Sequence, residues 1–379
     1  MRLCPAPLRL LLLLAGLACL GAGAASDLRA QDEEGSRAPE GVGKEDEERE
    51  PPRLRIEPIG LVRAGLRIEP EESPRTTGFD LFDARLGIVG GFGSILEYIV
   101  HGGLETREGE QEIEFLDVAL AVTFMPELHF DVGLYKAPFS QEELLLKPDI
   151  KLESRAQAVS AIAPGRQIGA GLSGSFLEER LEYGVGLFNG NGKSVENDNG
   201  SFLYSGRVQF NTVGPRSFRE EFVFQMGGNA AFSRDSAVDL SSMGGSPVAV
   251  EELLEFRGDR FLWGLDLHSS YRGFFFDAEF LRARLEPVGP EGGVDPLIAQ
   301  GGYVQGGYQF LGGFLEGLLR YDTFDPIDGE DRDYLLIGAN LYYLYHFRFE
   351  LQYAIGLADA APTSNLADGQ FLFFLQLRL

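Results

Sequence analysis

From about residue 54 to the end of the chain, apolar and polar side chains alternate with a period of two, and helical spacing is rare. In 347–357, Phe347, Phe349, Leu351, Tyr353, Ile355 and Leu357 share one face, while Arg348, Glu350 and Gln352 share the other. The last segment does the same, with Phe371, Phe373, Leu375, Leu377 and Leu379 opposed to Gln376 and Arg378. A period of two puts successive side chains on opposite faces of a strand.

Alternation suits any half-buried antiparallel sheet, a soluble sandwich included, so the connections have to decide. The pattern predicts sixteen strands, at 59–69, 78–93, 95–105, 112–125, 128–138, 166–176, 181–188, 202–212, 219–232, 261–271, 273–285, 299–310, 313–323, 333–345, 347–357 and 369–379. Short turns at 93–94, 126–127, 177–180, 213–218, 272–273, 311–312 and 345–346 interleave with longer polar loops at 70–77, 106–111, 139–165, 189–201, 233–260, 286–298, 324–332 and 358–368. An even strand count with tight turns on one side and long loops on the other predicts an antiparallel transmembrane β-barrel of the outer-membrane type, both chain ends at the periplasmic side. Aromatics crowd strand ends, as at Tyr342, Tyr343, Tyr345 and Phe347, where an interfacial girdle belongs. The 49 glycines suit strongly curved strands. The final strand is similar to the signal read by barrel-assembly machinery, although it ends in Leu379.

The first residues agree with an exported chain. Arg2 and Arg9, an apolar run from Leu8 to Leu20, and Ala22-Gly23-Ala24 lay out a signal peptide over 1–24, with cleavage expected after Ala24. Cys19 raises lipidation as an alternative, but Gly16 stands where such a site needs a large apolar residue. With Cys4 and Cys19 both in that segment, the mature chain is expected to lack disulfides, thiol chemistry and thiolate metal sites. No cofactor is implied. Residues 27–50 carry ten acidic and four basic side chains, so 25–53 reads as an acidic, disordered periplasmic lead-in before a barrel at 54–379. The net charge of −25 argues against nucleic acid.

The motifs Leu128-His-Phe-Asp-Val-Gly-Leu-Tyr-Lys-Ala-Pro-Phe-Ser140, Pro164-Gly-Arg-Gln-Ile-Gly169 and Tyr183-Gly-Val-Gly-Leu-Phe-Asn-Gly190 resemble the phosphate-selective porin O/P family. Leu319-Arg-Tyr-Asp-Thr-Phe-Asp325 and Gly338-Ala-Asn-Leu-Tyr-Tyr-Leu344 are similar to two further strands of that family, and the resemblance covers about 54–379. It implies a sixteen-stranded, usually homotrimeric barrel whose third external loop, here 139–165, folds inward to narrow a channel. Outer-membrane lipid, small ions and polar solutes are the partners so implied.

The inward set read from the alternation is mixed. Arg63, Arg67, Arg85, Arg207, Arg320, Arg348 and Arg378 are outnumbered by Glu97, Glu105, Asp117, Asp131, Glu182, Asp266, Asp277, Glu279, Glu316, Asp322 and Glu350. Such a lining predicts a weakly selective channel, with any phosphate or other anion preference supplied at the loop. There the candidate constriction and anion path is Lys136, Lys147, Lys151, Arg155, Arg166, Arg207 and Arg320, set against Glu142, Glu143, Asp149 and Glu153. Asn189-Gly-Asn-Gly192 reads as a loop turn. Two other classes stay open. An adhesin or structural anchor would use loops 233–260 and 286–298. A barrel hydrolase would need His101, His129, His268 or His346 beside a nucleophile, and no serine lies in the strands around the first two between 94 and 140. No enzymatic activity is expected.

Overall fold

A computed structural model describes residues 54–379, apart from 70–76, 94, 108–109, 194, 213–221, 289–294, 345 and 358–365. The expected signal peptide and acidic lead-in lie outside the described residues, as do the turn at 213–218 and parts of the loops at 70–77, 106–111, 286–298 and 358–368.

Sixteen strands form one closed, wholly antiparallel barrel. In chain order they are β1 (Leu54–Ile68), β2 (Gly78–Phe92), β3 (Leu96–Arg107), β4 (Glu110–Met125), β5 (Leu128–Lys136), β6 (Arg166–Phe176), β7 (Leu181–Phe188) and β8 (Leu203–Asn211). The second half comprises β9 (Val223–Val238), β10 (Phe256–Tyr271), β11 (Phe274–Pro287), β12 (Leu297–Phe310), β13 (Leu315–Asp325), β14 (Arg332–Tyr343), β15 (Phe347–Leu357) and β16 (Phe371–Arg378). Each strand pairs with its sequence neighbours, and the ring closes where Leu61–Ile68 run against Phe371–Arg378. Closure leaves no edge strand, so every ladder bond has a partner in a setting where water cannot supply one.

Alternation sorts the faces as expected. On β13 the inward Glu316, Arg320 and Asp322 are buried, while Leu319 and Tyr321 between them point outward and are exposed. The tight connections carry the backbone strain of primed turns. Arg272 and Gly273 both have positive φ, 47° and 87°, which matches the twist of a two-residue hairpin.

Two strands run five or six residues into a connection that the sequence reads as loop. β9 continues to Val238 and β10 starts at Phe256, so the expected loop 233–260 shortens to 239–255. The polar stretch that reads as loop is strand with charges turned inward: Arg260 pairs with Asp235 at 3.0 Å, and both are buried. The remaining segment holds a helix, α3, at Pro247–Leu253, capped by the Ser246 hydroxyl accepting from the Ala249 N–H. Within the connection from β5 to β6 lie α1 (Gln141–Leu144) and α2 (Gln157–Ile162).

The lumen holds a feature the alternation conceals. Ala158, Val159, Ala161 and Ile162 of α2, with Leu240, Met243, Ala249 and Leu253 of 239–255, join inward-facing Leu203, Ala231, Leu262, Leu281, Leu285, Ala299 and Phe324 in one dry cluster. A second cluster joins Leu152 to Phe275, Leu318, Tyr334 and Leu336. Each large apolar side chain buried this way contributes about 1.5–3 kcal/mol. The long-loop half of the barrel is therefore packed along β8–β15 like a soluble core.

Candidate functional site

Residues 137–165, the connection after β5, form a strap fixed to strands on the opposite side of the ring. At its start, the Glu279 carboxylate on β11 accepts from the N–H groups of Gln141 and Glu142 at 3.0 and 3.1 Å, occupying the free donors at the start of α1. Arg320 on β13 donates to the Glu142 carboxylate and to Gln305 Oε1. The other Glu142 oxygen takes the Ala156 N–H at 2.7 Å, tying the two halves of the strap together. Further along, Lys151 Nζ donates to Glu316 at 2.8 Å and stands 4.0 Å from the Phe275 ring centroid. Asn340 donates to the Lys151 carbonyl, Arg348 to those of Pro148 and Ile150, and Arg63 on β1 to that of Glu153. The Glu153 N–H donates to Gln352, and Gln157 to Asp322. These bonds run to β1, β11 and β13–β15; β16 adds Gln376 and Arg378, which donate to the Pro148 carbonyl and the Asp149 carboxylate, and β8 adds Ser205 and Arg207, which donate to Pro138 and Gln141.

The facing wall differs in size. Inward positions on β2–β7 are mostly small, with Gly87, Gly91, Ala119, Ala121, Gly133, Gly171, Gly184 and Gly186 among them. The inward charges there include Asp83, Arg85, Asp117 and Arg166, with Glu97, Asp131 and Glu182 nearer the tight turns. Arg85 donates to Asp83 at 2.7 Å, and Arg166 makes a two-pronged pair with Asp117, both bonds 3.0 Å. His101 adds its Nδ1 to Asp117 at 3.1 Å. From the strap side, Lys136 donates to the Leu145 carbonyl at 2.7 Å, and Arg155 reaches the Glu142, Glu143 and Leu145 carbonyls and the Glu143 carboxylate. Lys147 donates to the Glu153 carbonyl at 2.8 Å. Burial lowers its ammonium to about 8, partly offset by Glu153, with Arg63 and Arg155 adding to the drop.

The seven cations expected at the constriction thus divide. Lys136, Arg155 and Arg166 lie where the strap meets β5 and β6, with Lys147 among the strap's own carbonyls. Lys151, Arg207 and Arg320 sit behind the strap in pairs with Glu316, Asp266 and Glu142, and Arg320 and Arg207 are buried. Sequence reasoning missed Glu142 and Glu279 as the acceptors that orient the strap, and it missed Asp235 and Arg260 altogether. Only the spacing of Asp235 two residues after inward Ser233 could have signalled the latter pair.

The histidines do not gather a hydrolytic group among the described residues. His101 and His268 each meet a carboxylate, Asp117 and Asp277, whereas His129 meets the Thr123 hydroxyl at 3.0 Å. None of these three has both kinds of partner among the described hydrogen bonds. No cluster of His, Cys, Asp and Glu suited to a metal occurs among the described residues.

A closed sixteen-stranded barrel with a lipid-compatible outer face and a strapped polar lumen is an outer-membrane porin channel. The family model for phosphate-selective porin O and P matches residues 64–365, and the chain belongs to that family. A search of curated protein sequences finds no match. Among solved structures, the anion-selective porin from Comamonas acidovorans is similar over 86% of this chain and 100% of its own, at 12% identity and TM-score 0.61. OmpT of Vibrio cholerae in its trimer form aligns over 86% and 99% at 12% identity, TM-score 0.56. The outer-membrane channel DcaP of Acinetobacter baumannii aligns over 86% and 97% at 13% identity, TM-score 0.54.

Proposed function

We propose that this porin conducts small ions and polar solutes passively through an off-centre path between the strap and the β2–β6 wall. The observation that carries this reading is the one-sidedness of the strap's anchors, which run to β1, β8, β11 and β13–β16 while the small residues of β2–β7 face its other side. At the level of the strap, Arg85, Lys136, Lys147, Arg155 and Arg166 face Asp83, Asp117 and Glu143 in that path, while Glu97, Asp131 and Glu182 line it nearer the tight turns. A narrow low-dielectric throat amplifies such a surplus, giving a modest preference for anions, phosphate included. Lys151, Arg207 and Arg320 hold the strap in place.

The chain works as a channel without catalysis. It is exported by cleavage after Ala24, inserted by barrel-assembly machinery, and assembled as a homotrimer with residues 25–53 on the periplasmic side. The trimer form described for the Vibrio cholerae OmpT supports that assembly.

Planar-bilayer recording in a salt gradient tests the reading. The expected result is discrete ion steps with a reversal potential favouring anions, moved toward zero by Arg155→Ala with Arg166→Ala. A folded barrel that gives no steps, as an anchor or adhesin would, sinks it, as does cation selectivity indifferent to both substitutions.

A further inference from the structure

The outward face of β9–β11 turns from apolar to arginine-rich near its long-loop end. On β11, Leu281, Ala283 and Leu285 are buried inward, so Arg282, Arg284 and Glu286 point away from the lumen. On β10 the same parity turns Arg257 and Asp259 outward, and on β9 it turns out Arg234. Register places Arg282 between Trp263 and Gln300, and Arg284 between Phe261 and Ile298, while Phe261 itself faces Phe232. Below this level the outward side chains are Phe280, Leu265, Phe276 and Met226. Arg282 lies eight residues above Phe274, which begins β11 beside the tight turn. At a rise of about 3.3 Å per residue and a tilt near 40°, that is roughly 20 Å, close to the top of an apolar band about 25 Å tall.

These arginines are only partly neutralised. Arg234 makes a two-pronged pair with Asp259, at 2.7 and 3.0 Å, and Arg284 pairs with Glu286 at 2.7 Å with both side chains more than half exposed. Arg282 has no side-chain hydrogen bond or ion pair among the described residues, although it lies next to the Trp263 strand position. The nearby Asp325 is already held by Gln300 at 3.1 Å. Four arginines stand among Asp259, Glu286, Asp325 and Asp198, so the unpaired cation of this face, among the described residues, is Arg282, with Arg284 held only by an exposed pair. Guanidinium is planar, weakly hydrated and permanently charged, and its paired donors match phosphate oxygens. A stem lying along Trp263 or Phe261 would carry that group up to headgroup level.

We propose that Arg282 and Arg284, with Arg257 and Arg234 flanking them, form a site on the outside of the barrel for the phosphorylated headgroup of an outer-leaflet lipid. The acyl chains of that lipid lie down the Phe261, Leu265 and Phe280 face. The assignment rests on the long loops being external, which the porin reading supplies, but it is independent of what the lumen conducts.

The test uses the full-length chain in non-ionic detergent, titrated with bisphosphorylated lipid A and with the same lipid after enzymatic dephosphorylation. The wild type is expected to prefer the phosphorylated lipid about tenfold or more, since each charge-assisted phosphate contact is stronger than a neutral hydrogen bond. Arg282→Gln with Arg284→Gln abolishes the preference, whereas Arg55→Gln at the other rim keeps it. Heat-shifted gel mobility and unchanged single-channel conductance certify the variant fold. Equal binding of both lipids by the wild type overturns the proposal without recourse to any variant. So does a phosphorylated-lipid affinity unaltered by the double substitution, or full displacement by inorganic phosphate alone, which would mark a free-ion site. Loss of oligomer in the double variant with lipid binding intact would reassign the face to a second copy of the chain and refute the lipid site.

Discussion

Cutting the bond between Arg320 and Glu142 isolates what charge contributes to holding the strap. Both side chains are almost wholly buried, 1% and 2% exposed, and they lie 178 residues apart. Replacing Arg320 by Leu leaves the Glu142 carboxylate buried with the Ala156 N–H as its remaining close donor, and removing one partner of a buried pair costs about 3–5 kcal/mol. Against that stand Phe139, Ile150, Leu152, Val159 and Ile162, all near-fully buried on the strap, each contributing about 1.5–3 kcal/mol. The apolar contacts win, so the strap stays docked and the channel keeps its conductance, with more frequent brief excursions to a larger level. Stability in denaturant should fall by the full cost of the orphaned charge. Replacing Glu142 by Leu as well removes that charge and returns stability to within about 1–2 kcal/mol of wild type, the residue of the cost being the orphaned Ala156 N–H and Gln305 Oε1. The assay is guanidinium unfolding of the barrel in lipid vesicles, followed by intrinsic fluorescence, beside single-channel recording. If Arg320→Leu costs less than the double replacement, or if conductance jumps permanently, then charge rather than packing holds the strap and the reasoning fails.

Bulk added on either side of the strap should separate the open path from the packed one. Ala119→Trp on β4 is expected to lower single-channel conductance with little loss of stability, whereas Ala283→Trp, inside the dry cluster, should cost about 1–3 kcal/mol by overpacking and leave conductance nearly intact. Lys147 loses its proton near pH 8, so its positive charge is fully present below that pH and gone above it. Anion preference should therefore decline as pH rises from 7 to 9, and reversal potentials of Lys147→Arg should lose that step. On the outer face, Leu265→Arg puts a charge toward acyl chains and should destabilise the barrel by about 2–4 kcal/mol in vesicles, a loss that vanishes if this face is covered by protein instead.

Strand positions were legible because a barrel wall has two dissimilar solvents, and a period of two records both. Where the lumen itself is apolar, that contrast fades. Leu262, Leu281 and Leu285 face inward against Phe261, Phe280 and Trp263 facing out, and periodicity alone cannot tell which face is dry. Charge misleads in the opposite sense at Asp235 and Arg260, where a buried ion pair imitates a polar loop and hides five to six residues of each strand. The strap was visible as a length and as a family resemblance. Its partners were not, because Glu279, Arg320, Gln352 and Arg63 meet it only after the ring has closed, and no local pattern encodes a contact across the barrel.

The same geometry changes how lumenal charge should be counted. By residue type the lining is net acidic, yet many of those carboxylates serve as acceptors behind the strap. Glu279 holds the start of α1, Asp322 takes the Gln157 N–H, Glu316 takes Lys151 and Asn340, and Asp266 takes Arg207. Glu279 and Asp322 are buried, separated from the proposed path by the strap. Asp117 belongs to the other group, on β4 beside Arg166 and His101. Exchanging each acid for its amide distinguishes the two locations, since either change removes one formal negative charge while keeping a hydrogen-bonding side chain. Asp117→Asn should free Arg166 and shift the reversal potential further toward anions, and Glu279→Gln should leave it nearly where it was. Equal shifts from the two would mean that ions sense the lumen as a whole, and the off-centre path would have to be abandoned.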